Sequence, residues 1–553
     1  MKRVSVTFAV SLAVALGAGC GGSSPGVADA RNPIDAQGEA TVNPAMDAAR
    51  EGAADAPADA SPDAPSDRAP VEPPSDGGLI DVPAEAPSTD APSTDAPSTD
   101  APRVVDAPGD TADAPDGGAR ETGPDAPDAG VAWPTPLRHV VVIVKENHTF
   151  DNYFGSFPGA DGTLRADGMN ICTTSKGSAP CTRAPDAPAH DLDHSHAAAV
   201  VDWAGGRLDG WSASGGSDTG DDLAYAQYTE QDIPNYWQYA RRFVLGDRFF
   251  ANVLAPSFPG HLFPLAAQAG WSYDDPPTDL PGKILLGPPP QVLPPHPYWG
   301  CDEWDGDTVD ILKNGVSPAK VFPCFDIPSV PDILPPGIDW KFYGSNWGGL
   351  FSEVWSMFDA VRSIRNDPAK WSHMVLAPQF TADLQNHTLP AVTWLVDQDQ
   401  FSEHPDLAPP GLNVPLGGVC AGEGWTVGYI NQIMQSDYWR DTAIIFTMDD
   451  FGGWYDHVPP PRQYGGSATA PYGLGFRLPL LIISPYAKPG FIFHEAAEQA
   501  SIVRFIEKVV GAKHTLHELD TAAQDEQAND LLGAFDFQQT PLPPLVLKAR
   551  TCP

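Results

Sequence analysis

The run Val140-Val141-Val142-Ile143-Val144 constrains this chain most. Five consecutive β-branched residues have no polar face. They suit a strand covered on both sides, as in a parallel sheet layered by helices. The run ends in Lys145-Glu146-Asn147-His148-Thr149-Phe150-Asp151, so a carboxylate and a carboxamide arrive together where the strand should stop. The carboxyl edge of an open α/β sheet is where ligands bind. Two adjacent hard oxygen donors suit a divalent cation or a phosphate site. A second pair, Asp449-Asp450, follows the apolar run Ala443–Phe446. Two strands ending alike point to one metal or phosphate centre built from Glu146, Asn147, Asp449 and Asp450.

Further apolar runs at Val392–Val396 and Pro479–Ser484 read as buried strands, and Tyr429–Ser436 and Ala497–Val510 read as helices. Strands separated by helices predict an α/β fold, a mostly parallel sheet covered on both faces. Residues 272–340, rich in Pro, Gly and Asp, read as an insertion or cap near the site within a globular domain spanning 131–553.

The formal charge of −40 is partly local: residues 21–130 carry 23 acidic residues against 5 Arg. With Ala and Pro dominant, and Ala-Pro-Ser-Thr-Asp repeated in tandem from Ala86 to Asp100, this segment reads as a disordered, extended linker. So acidic a chain repels nucleic acid, and no such partner is expected. At the N-terminus, Lys2 and Arg3 precede the apolar stretch Val4–Leu16 and then Gly17-Ala18-Gly19-Cys20. That is an export signal, too short to span a membrane. Residues 17–20 resemble a bacterial lipoprotein cleavage box, although Leu16 sits one position early. The expected outcomes are a lipid-anchored protein at the outer membrane or cell surface, acylated on Cys20, or plain secretion. Six further cysteines suit disulfides in an exported chain. Cys172 with Cys181 and Cys301 with Cys324 are local pairs, and Cys420 with Cys552 follows by elimination. No CxxC pair is present, which disfavours a zinc–thiolate site.

Other residues able to carry chemistry are spread along the chain. Ser257 lies in Ala255-Pro256-Ser257-Phe258-Pro259-Gly260, a rigid turn that could fix a hydroxyl. Histidines occur in His190-Asp-Leu-Asp-His194-Ser-His196, in Ser402-Glu403-His404-Pro405, and in Asp456-His457. A single histidine is more often structural than catalytic, and His190 and His196 read as members of a solvated loop. Clustering past strand ends favours a role for His194, His404 and, secondarily, His457 with Asp456.

Taken in order, KENHTFDNYFGSFPGADG, DHSHAAAVVDWAGGRLDGW, FVLGDRFFANVLAPSFPGHLF, SEHP, DDFGGWYDHVPPP, GFRLPLLIISPYAKPG and EQASIVRFIEKVVG resemble the bacterial phospholipase C and acid phosphatase A-like phosphoesterases of the alkaline phosphatase superfamily. The likeness covers about Arg138 to Val510. It implies a three-layer α/β/α sandwich and an exported enzyme that hydrolyses phosphate mono- or diesters at one divalent metal ion. Ser257 takes the place of the nucleophile, and Glu146, Asn147, Asp449 and Asp450 contact the metal or phosphate. His194 and His404 take the places of active-site histidines. Two positions depart from the pattern. Asp450-Phe451 stands where many relatives have Glu and a polar residue, and His261 stands where many have Arg, which bears on head-group choice. The alternative is a surface-anchored binding protein on a phosphoesterase-derived scaffold.

Overall fold

The computed structural model describes residues 133–552 apart from 175, 189, 214–221, 277–298, 304–305, 314–316, 345–355, 398–400, 406–417 and 462–472. The signal, Cys20 and the linker lie outside the described residues.

An eight-stranded sheet organises the chain. In sequence its strands are β1 His139–Lys145, β2 Val244–Gly246, β3 Trp340–Gly344, β4 Met374–Leu376, β5 Val392–Val396, β6 Thr442–Met448, β7 Leu480–Ile483 and β8 Phe491–Phe493. Across the sheet they run β4-β3-β5-β1-β6-β7-β2-β8. Every neighbouring pair is parallel except those of β7, which is antiparallel to both β6 and β2. The expected mostly parallel sheet is thus present, with β1 and β6 at its centre and buried along almost their whole length.

The register shows how the layers form. Tyr343, Leu395, Ile143 and Phe446 stand in one row across β3, β5, β1 and β6. On that face Tyr343 meets Phe380 of the helix Ala377–Gln385, and Phe446 meets Tyr236 of the helix Pro234–Arg242. The next row, Phe342, Trp394, Val142 and Ile445, faces the other way. There the Trp394 indole donates to the Pro264 carbonyl of the helix Ser257–Ala266. Apolar side chains on alternate residues of each strand therefore feed two cores, one per face, and the fold is an α/β/α sandwich. No helix among the described residues is long and apolar enough to cross a membrane.

Some boundaries differ from the sequence reading. The insertion does not reach residue 340, because Trp340 opens β3 and packs on Phe358 and Trp394 in the core. Its described parts include a hairpin, Val309–Lys313 with Ser317–Val321. The helix expected at Tyr429–Ser436 is the end of a longer one, Val419–Met434, whose N-terminal glycines obscured it. Ala497-Glu498 pairs with Phe249-Phe250 as a short ladder before the helix Ala500–Val510 begins. The three disulfides, Cys172–Cys181, Cys301–Cys324 and Cys420–Cys552, are those expected.

Candidate active site

The site forms where β1 and β6 end together. Lys145 is in register with Met448, so Glu146 and Asp449 are the next residues on adjacent parallel strands. The Asp449 N–H donates to the Lys145 carbonyl at 2.9 Å, and the Asn147 N–H donates to Asp449 Oδ1 at 3.1 Å. Asn147 turns the chain off the strand with φ 61°, a conformation asparagine tolerates better than most residues. Gly452 turns it after Asp450 with φ 58°. A Cβ there would lie 2.2 Å from the Asn147 carbonyl oxygen, so only glycine lets the two turns nest. The Gly452 N–H donates to Asp450 Oδ1 at 2.7 Å and fixes that carboxylate.

Ser257 enters from the opposite side as the first residue of the helix Ser257–Ala266. Pro256 precedes it and Pro259 sits in the first turn, where a missing N–H costs no helical hydrogen bond. The hydroxyl is buried and lies 3.1 Å from Asp450 Oδ2, 3.4 Å from Glu146 Oε2 and 3.5 Å from Asn147 Oδ1. Close approach depends on Gly260, where a Cβ would meet the Asp449 carbonyl oxygen at 2.4 Å.

His194 and His404 reach the same place from two loops. His194 Nδ1 donates to the Leu192 carbonyl at 2.7 Å, and His404 Nδ1 to the Pro405 carbonyl at 2.8 Å. Both Nε2 atoms then point at the Asn147 amide, His194 at 3.1 Å. Asp191 Oδ2 lies 3.8 Å from a ring nitrogen of each. Burial lowers the basicity of His194, but Asp191 and Asp450 outweigh it and hold its pKa at about 10. Burial dominates at His404 and lowers it. His196 does not lie in a solvated loop: it opens the helix His196–Trp203, half-buried, with its Nδ1 donating to the Leu254 carbonyl.

The carboxylates crowd one another. Burial, then Asp449 and Asp450, push Glu146 well above the usual carboxylate range, and burial with Asp449 does the same to Asp450. Among the described residues no Lys or Arg forms an ion pair with Glu146, Asp449 or Asp450; the basic partner present is His261, whose Nε2 lies 2.5 Å from Glu146 Oε1 and 3.6 Å from Asp449 Oδ2. Ligand atoms of Glu146, His261 and Asp449 all lie within 4.8 Å of one another. The Asn147 amide oxygen also faces these acceptors; reversed, its nitrogen would donate to Asp449 at 2.9 Å and Glu146 at 3.1 Å. In that orientation the amide oxygen faces the Nε2 atoms of His404 at 2.9 Å and His194 at 3.1 Å, so both ends of the amide find partners. The donor set of hard oxygens plus one imidazole fits a divalent cation.

Two expectations need correction. Asp456 and His457 join a different cluster: Arg477 is buried between Asp456 (2.9 Å) and Asp151 (3.0 Å), and His457 Nδ1 lies 2.7 Å from Asp151 Oδ2. The glycine turn at 452–453 carries them away from the serine, and no hydrogen bond or ion pair among the described residues ties them to Ser257, Glu146, Asp449 or Asp450. His261 was read as bearing on head-group choice, yet its ring is buried against Glu146. Phe451, the other departure, packs with Trp211 and Phe476. Sequence reasoning missed Asp275, which lies in the supposed insertion. Its carboxylate accepts the Phe258 N–H at 2.8 Å, and burial raises its pKa to about 7. Only the Asp274-Asp275 pair itself could have flagged it.

The sequence pattern of the Phosphoesterase family matches residues 137–513. This chain belongs to the Phosphoesterase family. As a phosphoesterase it is similar to phospholipase C B of Mycobacterium tuberculosis, 26% identical over 461 residues that cover 74% of this chain and 79% of that protein. It is 25% identical to hemolytic phospholipase C of Pseudomonas aeruginosa, over 74% of this chain and 57% of the relative. It is 23% identical to non-specific phospholipase C1 of Arabidopsis thaliana, over 70% of each. Among solved structures, a protein in the alkaline phosphatase superfamily from Vibrio parahaemolyticus matches over 72% of each chain with 11% identity and a TM-score of 0.31.

Proposed function

We propose that this phosphoesterase hydrolyses phosphate mono- or diesters through a phosphoserine at Ser257. The observation that carries the reading is one buried hydroxyl within 3.5 Å of Glu146, Asn147 and Asp450, which come from two separate strand ends. A divalent cation held by Glu146, Asn147, Asp449 and Asp450, with His261 beside them, would neutralise phosphate oxygens and acidify the serine hydroxyl.

The chain's own groups then divide the work. Asp450 takes the Ser257 proton as the serine oxygen attacks phosphorus. The new O–P bond forms as the bond to the leaving alcohol breaks, in line with the attack. His194, kept protonated by its acidic neighbours, holds phosphate oxygens and gives its proton to the leaving alcohol. In the second half a water attacks the phosphoserine and passes its proton to His404, kept neutral by burial; the serine–phosphorus bond breaks, the Ser257 oxygen takes back the proton held by Asp450, and the phosphate product leaves. Two histidines with basicities pushed apart suit opposite proton-transfer roles.

The relatives' names add phospholipids to the candidate substrates. We also infer export and attachment through Cys20, supported by the basic and apolar N-terminal run and by three disulfides. The test is a panel of phosphatidylcholine, bis-p-nitrophenyl phosphate and p-nitrophenyl phosphate with metals varied. Metal-dependent turnover that Ser257→Ala abolishes supports the reading. Binding of these esters without turnover would instead favour a binding protein on this scaffold.

A further inference from the structure

His404 has a neighbour that no site expectation included. Glu403 is a non-glycine residue held at φ 77°, buried to 1% exposure. Its side chain accepts the Tyr236 hydroxyl at 2.6 Å and the Tyr153 hydroxyl, and its carboxylate lies 3.5 Å from Lys145 Nζ. Lys145 is the last residue of β1, pairs with Asp397 just past β5, and donates to the Phe401 carbonyl. The Glu403 carbonyl lies 3.1 Å from His148 Nε2. At Gly422 a Cβ would meet Glu403 Cγ at 2.1 Å, so the helix Val419–Met434 carries a glycine where this side chain passes. The flanking Ser402 carbonyl accepts the Glu146 N–H at 2.9 Å, and Ser402 Oγ accepts the His404 N–H at 3.1 Å.

A left-handed glutamate is unfavourable by itself and persists only where its surroundings over-determine it. Here one constraint, Lys145, ends the strand that also presents Glu146 and Asn147, and the others come from the helices that carry Tyr153, Tyr236 and Gly422. We propose that Glu403 is a positioning residue: clamped to Lys145, Tyr153 and Tyr236, it sets the backbone twist that aims His404 Nε2 at the Asn147 amide. The inference rests on His404 acting in phosphoserine hydrolysis, as read above.

The test measures steady-state and burst kinetics with bis-p-nitrophenyl phosphate on metal-loaded enzyme for Glu403→Ala, Glu403→Gln, His404→Ala and the Glu403→Ala/His404→Ala double variant. Glu403→Ala is expected to lower kcat about a hundredfold, to lower KM with it so that kcat/KM is little changed, and to keep the p-nitrophenol burst because serine attack is intact. Glu403→Gln, which keeps the side-chain length and one amide oxygen to accept a tyrosine hydroxyl while its NH2 faces the other, is expected to regain part of that loss. The double variant is expected to be no slower than His404→Ala alone, since one residue acts through the other. If Glu403→Ala does not fold, Tyr236→Phe removes the 2.6 Å hydrogen bond, keeps the ring, and reads the same coupling. Losses that multiply in the double variant, or a folded Glu403→Ala with wild-type kcat, overturn the positioning role. Wild-type kcat in His404→Ala would overturn the reading of His404 itself.

Discussion

Ser257 Oγ stands 3.1 Å from Asp450 Oδ2 although 193 residues separate them in the chain. The contact exists because β1 and β6 are parallel and in register, and because Gly260 lets the serine helix rest on the Asp449 backbone. Any shift of that helix removes the hydroxyl from the acidic cluster.

His261 should matter through the metal. It lies one helical turn after Ser257 and holds Glu146 Oε1 at 2.5 Å. Partners of this kind typically carry about 10–100-fold in metal affinity. His261→Ala is expected to weaken Mn²⁺ or Zn²⁺ binding by that order in calorimetric titration. Unchanged affinity would show that the ring only fills space.

Much of this arrangement was legible in the sequence, for stated reasons. Val140–Val144 and Ala443–Phe446 are apolar without a break, so both were readable as buried strands, and the acidic pairs at their ends marked the sheet edge. Asp275 was not legible as a site residue, and His261 stood out only as a departure from the family pattern. Asp275 acts through one contact across the fold and has only its neighbour Asp274 to mark it, while His261 sits in an apolar helix with no sequence sign of the carboxylates it meets. Trp340 was hidden differently: it follows a Pro- and Gly-rich stretch and opens a strand of only five residues. Asp456-His457 misled because proximity in sequence to Asp449-Asp450 is undone by two glycines with positive φ, Gly452 and Gly453.

Asp275 predicts a pH dependence. Burial raises its pKa from 3.8 to about 7. A carboxyl raised on folding contributes stability that is full below pH 3.8 and is lost as pH rises through about 7. Above that, a new negative charge stands beside Phe258, near enough to His194 and Asp449 to act on both. kcat/KM is therefore expected to fall as pH rises through about 7, and Asp275→Asn should remove that limb. A pH–rate profile with the same descending limb in Asp275→Asn would assign it to another group.

Arg477 predicts a stability effect without a chemical one. Its guanidinium pairs with Asp151 and Asp456, donates to the carbonyls of Asp161 and Asp247 at 2.7 Å, and lies over the Phe150 ring. Arg477→Met would leave the buried Asp456 carboxylate without its cation and Asp151 with His457 alone, a loss of about 3–5 kcal/mol. Thermal or denaturant unfolding checks this. His457→Ala, in the same cluster, should keep kcat near wild type; a large loss of kcat in a stable His457→Ala protein would return that cluster to the chemistry.

The most direct measurement is acid-quenched mass spectrometry of metal-loaded enzyme turning over p-nitrophenyl phosphate. A phosphoryl adduct on the peptide containing Ser257, enriched in His404→Ala and absent from Ser257→Ala, is the expected result. Full turnover by Ser257→Ala, with no adduct in either protein, would contradict a serine nucleophile at this site.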